Sequence, residues 1–316
     1  MQNRMVLGIL SLCLGVLVFS LQDPLVKAVS GSYPVTEVMA IRAIVALPIL
    51  VVVVQADVGL KALLSKRTGM LTLRAFIQFS SYTAYYLAIA ALSLADAIAL
   101  YFMAPLFIMA LAGPYLGEHV SWRTLTTVLI GLVGVIVMLR PGAGVFDWAA
   151  LLSLGSAFLY GFSQLMARRI GDTESSTVMA FYQNGAYLTG AVAVAIMFHL
   201  AGITHAGHPS LDFLVRPWVW PTIADFMKMA ACGFVASAGM ILLSQAYRMA
   251  PANRVATFEY TGILWSPLWG FLFFAEVPRE TTVLGAALII GAGLVALNGE
   301  RRRGAAPAIA APGEAV

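Results

Sequence analysis

The stretch PYLGEHVSWRTLTTVLIGLVGV, residues 114–135, returns in altered form as LFFAEVPRETTVLGAALIIGAG, residues 272–293. The two run in step at a separation of 158, which lays Glu118 on Glu276 between an apolar run before and an apolar run after. A second match at a separation of 140 sets Val38, Met39 and Ala40 on Val178, Met179 and Ala180. Order and spacing are kept across both matches, so the chain reads as two copies of one unit, residues 1–141 and 146–299.

Working outward, apolar runs with short polar breaks fill nearly the whole chain. Of 316 residues 60% are hydrophobic and 11% charged, and mean hydropathy is +0.88, whereas soluble domains run near 25% charged. A helix that crosses a bilayer needs roughly 20 apolar residues. Ten such stretches are read, at 5–29, 34–54, 70–91, 94–115, 121–139, 147–168, 175–199, 222–247, 253–275 and 280–298. The fold expected is an all-α integral membrane bundle of ten transmembrane helices in two inverted five-helix repeats around a central cavity. Five crossings per copy is an odd number, so the second copy enters the membrane upside down relative to the first.

The loop charges agree with ten crossings. Lys and Arg concentrate on the cytoplasmic side, and alternate loops carry thirteen against five of the 19, with Arg42 inside a span. Both termini are therefore expected in the cytoplasm, the apolar start is read as a retained first helix, and residues 300–316 are expected to form a disordered cytoplasmic tail. The net charge of +4 is accounted for by orientation, with no basic cluster for nucleic acid. Cys13 and Cys232 fall in apolar runs and read as small packed hydrophobes.

Inverted repeats of this kind recur in secondary transporters, which hold the solute near the midplane between the copies. The polar residues within the spans mark the candidate site. Arg42 stands about 8 residues past Pro34, roughly 12 Å into the hydrocarbon, where a charge costs about 2.5–3.5 kcal/mol. It reads as an anchor for a solute carboxylate or phosphate, or as the partner of Asp23 or Glu37. Glu259 lies roughly 9 Å into the ninth span and reads as a solute contact or proton-coupling group, or as the partner of Arg254. Gln78, Tyr82 and Tyr85 form a stripe on the third span with Ser81 beside it, and Tyr160, Ser163 and Gln164 form another on the sixth. Together with Tyr101, Tyr260 and Trp265 these suit a flat, partly aromatic solute; bonding between helices is the competing reading. Pro105 and Pro267 each remove a backbone hydrogen bond inside a span and are the expected hinges. Cys232 with Ala236, and Ala287 with Gly291, are small residues four apart that suit helix packing. His199, His205 and His208 lack a nearby Cys or acidic ligand, so no metal is expected, and no other cofactor.

The segments DPLVKAVSGSYPVTEVMAIR (23–42), ALSLADAIALYFMAPLFIMALAGPYLGEHVSWRT (91–124) and APANRVATFEYTGILWSPLWGFLFFAEVPRETTVLGAALIIGAG (250–293) resemble the drug/metabolite transporter superfamily in its ten-helix branch of two EamA domains. The FEY and AEVP wording near the ninth span is similar to the bacterial subset that includes S-adenosylmethionine and riboflavin carriers. The resemblance implies a multi-pass bacterial inner-membrane protein whose partners are the lipid bilayer and a small metabolite, amino-acid-like, nucleoside-like or vitamin-like. It allows a homodimer without requiring one. The alternative function, an intramembrane enzyme acting on a lipid or peptide, finds no HExxH or GxSxG in the chain. Without a GxxxxGK[ST] loop, energy from ATP would need a separate subunit.

Overall fold

In a computed structural model, the described residues are 2–117, 122–139, 147–249 and 255–304. Their side chains are described except at 2–4, 123–125, 127–128, 138–139, 256–257, 260, 263–264, 266–267, 293–294 and 296–304. Every regular element among them is helical: α1 (Gln2–Ser20), α2 (Gln22–Val29), α3 (Val35–Asp57), a 3-10 turn (Leu60–Leu63), α4 (Thr68–Ala91), α5 (Leu94–Tyr101), α6 (Ala104–Leu116), α7 (Trp122–Leu139), α8 (Ala149–Ile170), α9 (Ser176–Leu200), α10 (Pro209–Val215), α11 (Ile223–Met249), a 3-10 segment (Ala256–Thr261), α12 (Gly262–Phe274) and α13 (Glu280–Gly304). Among the described residues five helical stretches are long and apolar enough to cross a membrane: Met5–Val29, Val35–Asp57, Leu94–Leu116, Ala149–Ile170 and Ile223–Met249.

Prolines decide where the helical stretches break. Pro24 stands two residues into α2, and inside a continuous helix its ring would strike the carbonyl of Ser20, four residues back. The helix stops at Ser20 and restarts at Gln22. Pro105 does the same to Tyr101, the last residue of α5, and lies in the first turn of α6. The expectation of Pro105 inside a continuous fourth helix is thereby corrected: in a first turn its missing N–H has no partner to lose. Pro267 belongs to α12 by its backbone, and its ring lies outside the described side chains.

Helix ends are capped by local chemistry. Ser93 accepts from Asp96 N–H to begin α5, and Ser175 accepts from Val178 N–H to begin α9, each worth about 1 kcal/mol. α6 ends on Gly117 at φ 73°, with its N–H directed to the carbonyls of Ala112 and Gly113. α12 ends on Ala275 at φ 52°, with its N–H directed to Gly270 and Phe271. These are one left-handed cap twice, 158 residues apart, built once on glycine and once on alanine.

The principal packed pairs are α1 with α11, α4 with α8, α3 with α9, α3 with α11, α4 with α9, α6 with α8 and α7 with α13. At Gly134 an added Cβ would stand 2.7 Å from the carbonyl oxygen of Gly285, which is how closely α7 and α13 approach. Cys232 and Ala236 are buried in α11 as expected of small packing residues. The expectation for Ala287 and Gly291 is corrected, since both are exposed. α13 packs instead through Gly285, Ala286, Ile289 and Ala292, the adjacent face of the same helix. It runs on to Gly304, so residues 300–304 of the expected tail continue it, and 305–316 lie outside the described residues. Glu118, Arg140 and Arg254 also lie outside them.

Candidate functional site

Where the broken helices meet, a cavity with about 740 Å³ of atom-free space, its open mouth included, is enclosed by α1, α2, α4, α5, α6, α8, α11 and the segment leading into α12. The break before α2 brings Asp23 to its wall and the break before α6 brings Tyr101, Phe102 and Pro105. The 3-10 segment brings Glu259. Phe19, Tyr82, Tyr85 and Tyr160 complete its aromatic lining, and Ser20, Ser81 and Ser156 its hydroxyls. Ser81 donates to the carbonyl of Ser156 at 2.9 Å, tying α4 to α8.

Both carboxylates are held by tyrosines. Tyr85 donates to Asp23 Oδ2 at 3.1 Å. Tyr160 donates to Glu259 Oε1 at 2.8 Å, and Tyr247 donates to the same oxygen. Between the two acids runs a row of rings, Tyr85 to Tyr101 at 5.2 Å between centroids and Tyr101 to Tyr160 at 5.4 Å. Among the described residues no Lys, Arg or His belongs to the cavity lining.

Arg42 is fully buried one layer behind this wall. Its Nη1 donates to Gln22 Oε1 and to the Tyr86 hydroxyl, both at 3.0 Å. Its guanidinium lies 4.6 Å from the Tyr187 ring centroid and 5.8 Å from that of Tyr82. Nε and Nη2 meet no acceptor among the described residues. Neither expected acid takes it: Asp23 is held by Tyr85, and Glu37 accepts from Val219 N–H at 3.1 Å. Arg74, which the loop-charge reading grouped with the loops, is instead buried in α4. It donates from Nε to the Ser163 carbonyl at 3.2 Å.

Of the residues singled out in the sequence, Ser81, Tyr82, Tyr85, Tyr101, Pro105, Tyr160 and Glu259 line the cavity. Gln78 and Gln164 are buried off it, each with its Oε1 unpartnered among the described residues. Trp265 is half-buried in α12 outside the lining, and the Tyr260 side chain lies outside those described. Trp269 donates to Ser20 Oγ at 3.0 Å and ties α12 to α1. Asp23, read only as a possible partner of Arg42, and Tyr247 complete the site. Asp23 carried the signal that marked Glu259, an acid inside an apolar run, whereas Tyr247 is recognisable only once α11 is laid beside the 3-10 segment.

At one end the bundle is tied by Lys27. Its Nζ meets Glu276 Oε1 at 2.5 Å and the Leu92 carbonyl at 2.9 Å, while Glu276 Oε2 accepts from Leu94 N–H at 3.0 Å. The ammonium also lies 5.3 Å from the Phe274 ring centroid. At the other end Arg169 stands 5.2 Å from the Tyr115 ring centroid, and Arg248 donates to the Gly171 carbonyl at 3.0 Å. The expectation that no acid stands near the histidines is corrected for two of them: His205 meets Asp212 at 2.9 Å and His208 meets Asp147 at 3.2 Å, acids that the fold, not adjacency in sequence, brings to them. No group of three metal-binding side chains occurs among the described residues.

Comparison with known proteins places relatives on this frame. The model of the EamA-like transporter family matches twice, over residues 6–140 and 147–298. A pseudopaline exporter of Pseudomonas aeruginosa is 29% identical over 90% of this chain and 93% of its own. An S-adenosylmethionine uptake transporter of Rickettsia bellii is 24% identical over 77% of each chain. A riboflavin transporter of Rhizobium johnstonii is 28% identical over 77% of this chain and 78% of its own. A solved crystal structure superposes with a TM-score of 0.67 at 17% identity, over 96% of this chain and 99% of the other, and so shares the fold.

Proposed function

This chain belongs to the EamA-like transporter family, a family of multi-pass membrane proteins, and from that premise we propose that it carries a small polar metabolite across a bacterial inner membrane by alternating access. The observation that carries the reading is the cavity at the helix breaks, where two carboxylates, Glu259 buried and Asp23 half-buried, stand among tyrosines drawn from many elements. Transporters bind solute where helices are discontinuous, because a broken ladder frees polar groups at mid-membrane depth.

In this reading the protein crosses the bilayer ten times, as two inverted five-helix halves, residues 1–141 and 146–299, with both termini and the tail 300–316 in the cytoplasm. The packing supports it. Exchanging α1, α3, α4 and α7 for α8, α9, α11 and α13 maps α1–α11 onto α8–α4 and α3–α11 onto α9–α4, and leaves α3–α9 and α7–α13 in place. The twin caps at Gly117 and Ala275 obey the same exchange. Two like halves of opposite sense give two like conformations, open to either side, and these can lie close in free energy. The ties at Lys27 and Arg169 stand at opposite ends, where each opening would have to break one of them.

The names of the relatives, an exporter of pseudopaline and transporters of S-adenosylmethionine and riboflavin, support a small metabolite as cargo. Tyr82, Tyr85, Tyr101 and Glu259 on the cavity wall are the proposed solute-facing set, with Arg42, Gln78, Gln164, Tyr260 and Trp265 proposed to support that wall and Pro105 and Pro267 as hinges. The helix restarts beside Pro105, which is where a change of angle would cost fewest hydrogen bonds. Glu259 is the proposed proton carrier, ringed by Tyr101, Tyr160 and Tyr247. The test is flux into sealed vesicles containing the purified full chain, without ATP, across a broad metabolite panel. The reading expects at least one solute to accumulate or leave. No flux, with turnover of a lipid or peptide in its place, would sink it.

A further inference from the structure

Among the described residues the cavity lining carries charge of one sign: two carboxylates, Asp23 and Glu259, and no basic side chain. The buried Arg42 is not part of that lining: it stands behind Tyr82 and Tyr86, with Nη1 donating to Gln22 and Tyr86. Tyrosine hydroxyls reach one oxygen of each carboxylate and supply no counter-charge. An ionised carboxylate away from water needs a proton or a cation beside it. A solute anion entering here would meet two like charges, a strong discrimination in low dielectric. A solute cation would meet two opposite charges and a row of ring faces, each face worth about 0.5–2 kcal/mol to a cation.

We infer that the cavity selects an organic cation on a flat or apolar body and offers its charge two alternative stations, Asp23 and Glu259, at either end of the Tyr85, Tyr101 and Tyr160 row. The inference rests on the transport reading and deepens it. Ring-to-ring steps of 5.2 and 5.4 Å keep a cation within reach of a π face as it leaves one carboxylate for the other. Asp23 lies in the first turn of α2, three residues after the α1 end, and Glu259 in the segment before α12. The two stations therefore belong to opposite halves of the chain.

The test uses the full chain in sealed lipid vesicles with two rigid probes of matched shape, 1-methyl-4-phenylpyridinium as permanent cation and 4-phenylbenzoate as anion. The cation should move at least about tenfold faster than the anion. Asp23→Asn and Glu259→Gln should each slow it by about tenfold or more, while the charge-retaining Asp23→Glu and Glu259→Asp keep the preference for cation. Thermal unfolding of each variant separates loss of the station from loss of the fold. Equal flux of the anion, or an unchanged cation flux in folded Asp23→Asn and Glu259→Gln, overturns the inference. Flux confined to neutral or anionic metabolites of the broader panel overturns it too and leaves the transport reading standing. If nothing crosses, it is the transport reading that fails.

Discussion

Arg42 sits in the core with two hydrogen bonds to neutral partners, three aromatic neighbours and no acid. A guanidinium at such depth costs about 2.5–3.5 kcal/mol, and its two charged hydrogen bonds return about 1.5–3 kcal/mol each. Together the two bonds return about 3–6 kcal/mol, as much as the penalty or more. Arg42→Met should therefore lower stability by no more than about 3 kcal/mol while depressing flux per folded molecule; flux per folded molecule unchanged would make Arg42 a packing residue. Glu259→Gln should flatten the pH dependence of transport while membrane insertion is kept, and an unaltered pH profile would remove Glu259 as proton carrier. Arg42 and Glu259 were visible in the sequence because each is a lone charge in an apolar run. Arg74 was not, because it lies seven residues from Arg67 at the edge of a charged loop, and only the packing of α4 between α8 and α9 shows that it turns inward.

At the scale of elements, the left-handed caps give a matched pair of predictions. Ala275 holds φ 52°, a conformation that costs a residue bearing Cβ about 1–2 kcal/mol. Ala275→Gly should stabilise the protein by about 0.5–1 kcal/mol and Gly117→Ala should destabilise it by about as much, read as opposite shifts in the unfolding midpoint. Outside the membrane, the Asp212 carboxyl is held below its ordinary value, chiefly by the Ala206 N–H at 2.7 Å, with His205 adding attraction and partial desolvation opposing. A carboxylate with a depressed folded value favours the ordered loop above the ordinary carboxylate range and loses that contribution as pH falls through the folded value. Hydrogen exchange at the Ala206 amide should thus be slower in the parent than in Asp212→Asn at neutral pH. The two should converge in strong acid, and equal protection at neutral pH would contradict the assignment. The long apolar elements were legible from their length alone. Their interruptions were legible only in part: Pro105 marked a weak point in its span, but neither it nor Pro24 showed that the helix would stop and restart there. The short α10, seven residues between polar neighbours, carries too little periodicity to be read. The packing face of α13 escaped for a related reason, since small residues occur on more than one of its sides.

For the molecule as a whole, the repeat was the most informative feature of the sequence because it constrains packing rather than local structure. The segments matched 158 residues apart carry like caps at Gly117 and Ala275, and the packed helix pairs map onto one another when the proposed halves are exchanged. What the repeat left open was the content of the cavity, which depends on side chains that α1, α4, α8 and α11 bring together from distant positions. The central claim is a cavity reached alternately from the two sides of the membrane. Ser81 lines it, roughly twenty ångström along α4 from Thr68. The direct measurement is therefore labelling of Ser81→Cys, with Cys13 and Cys232 replaced, by a membrane-impermeant thiol reagent supplied from one side of sealed vesicles at a time. Alternating access predicts labelling from either side, each suppressed by a transported solute. Labelling from one side only, or from neither, in a variant that retains flux would contradict it.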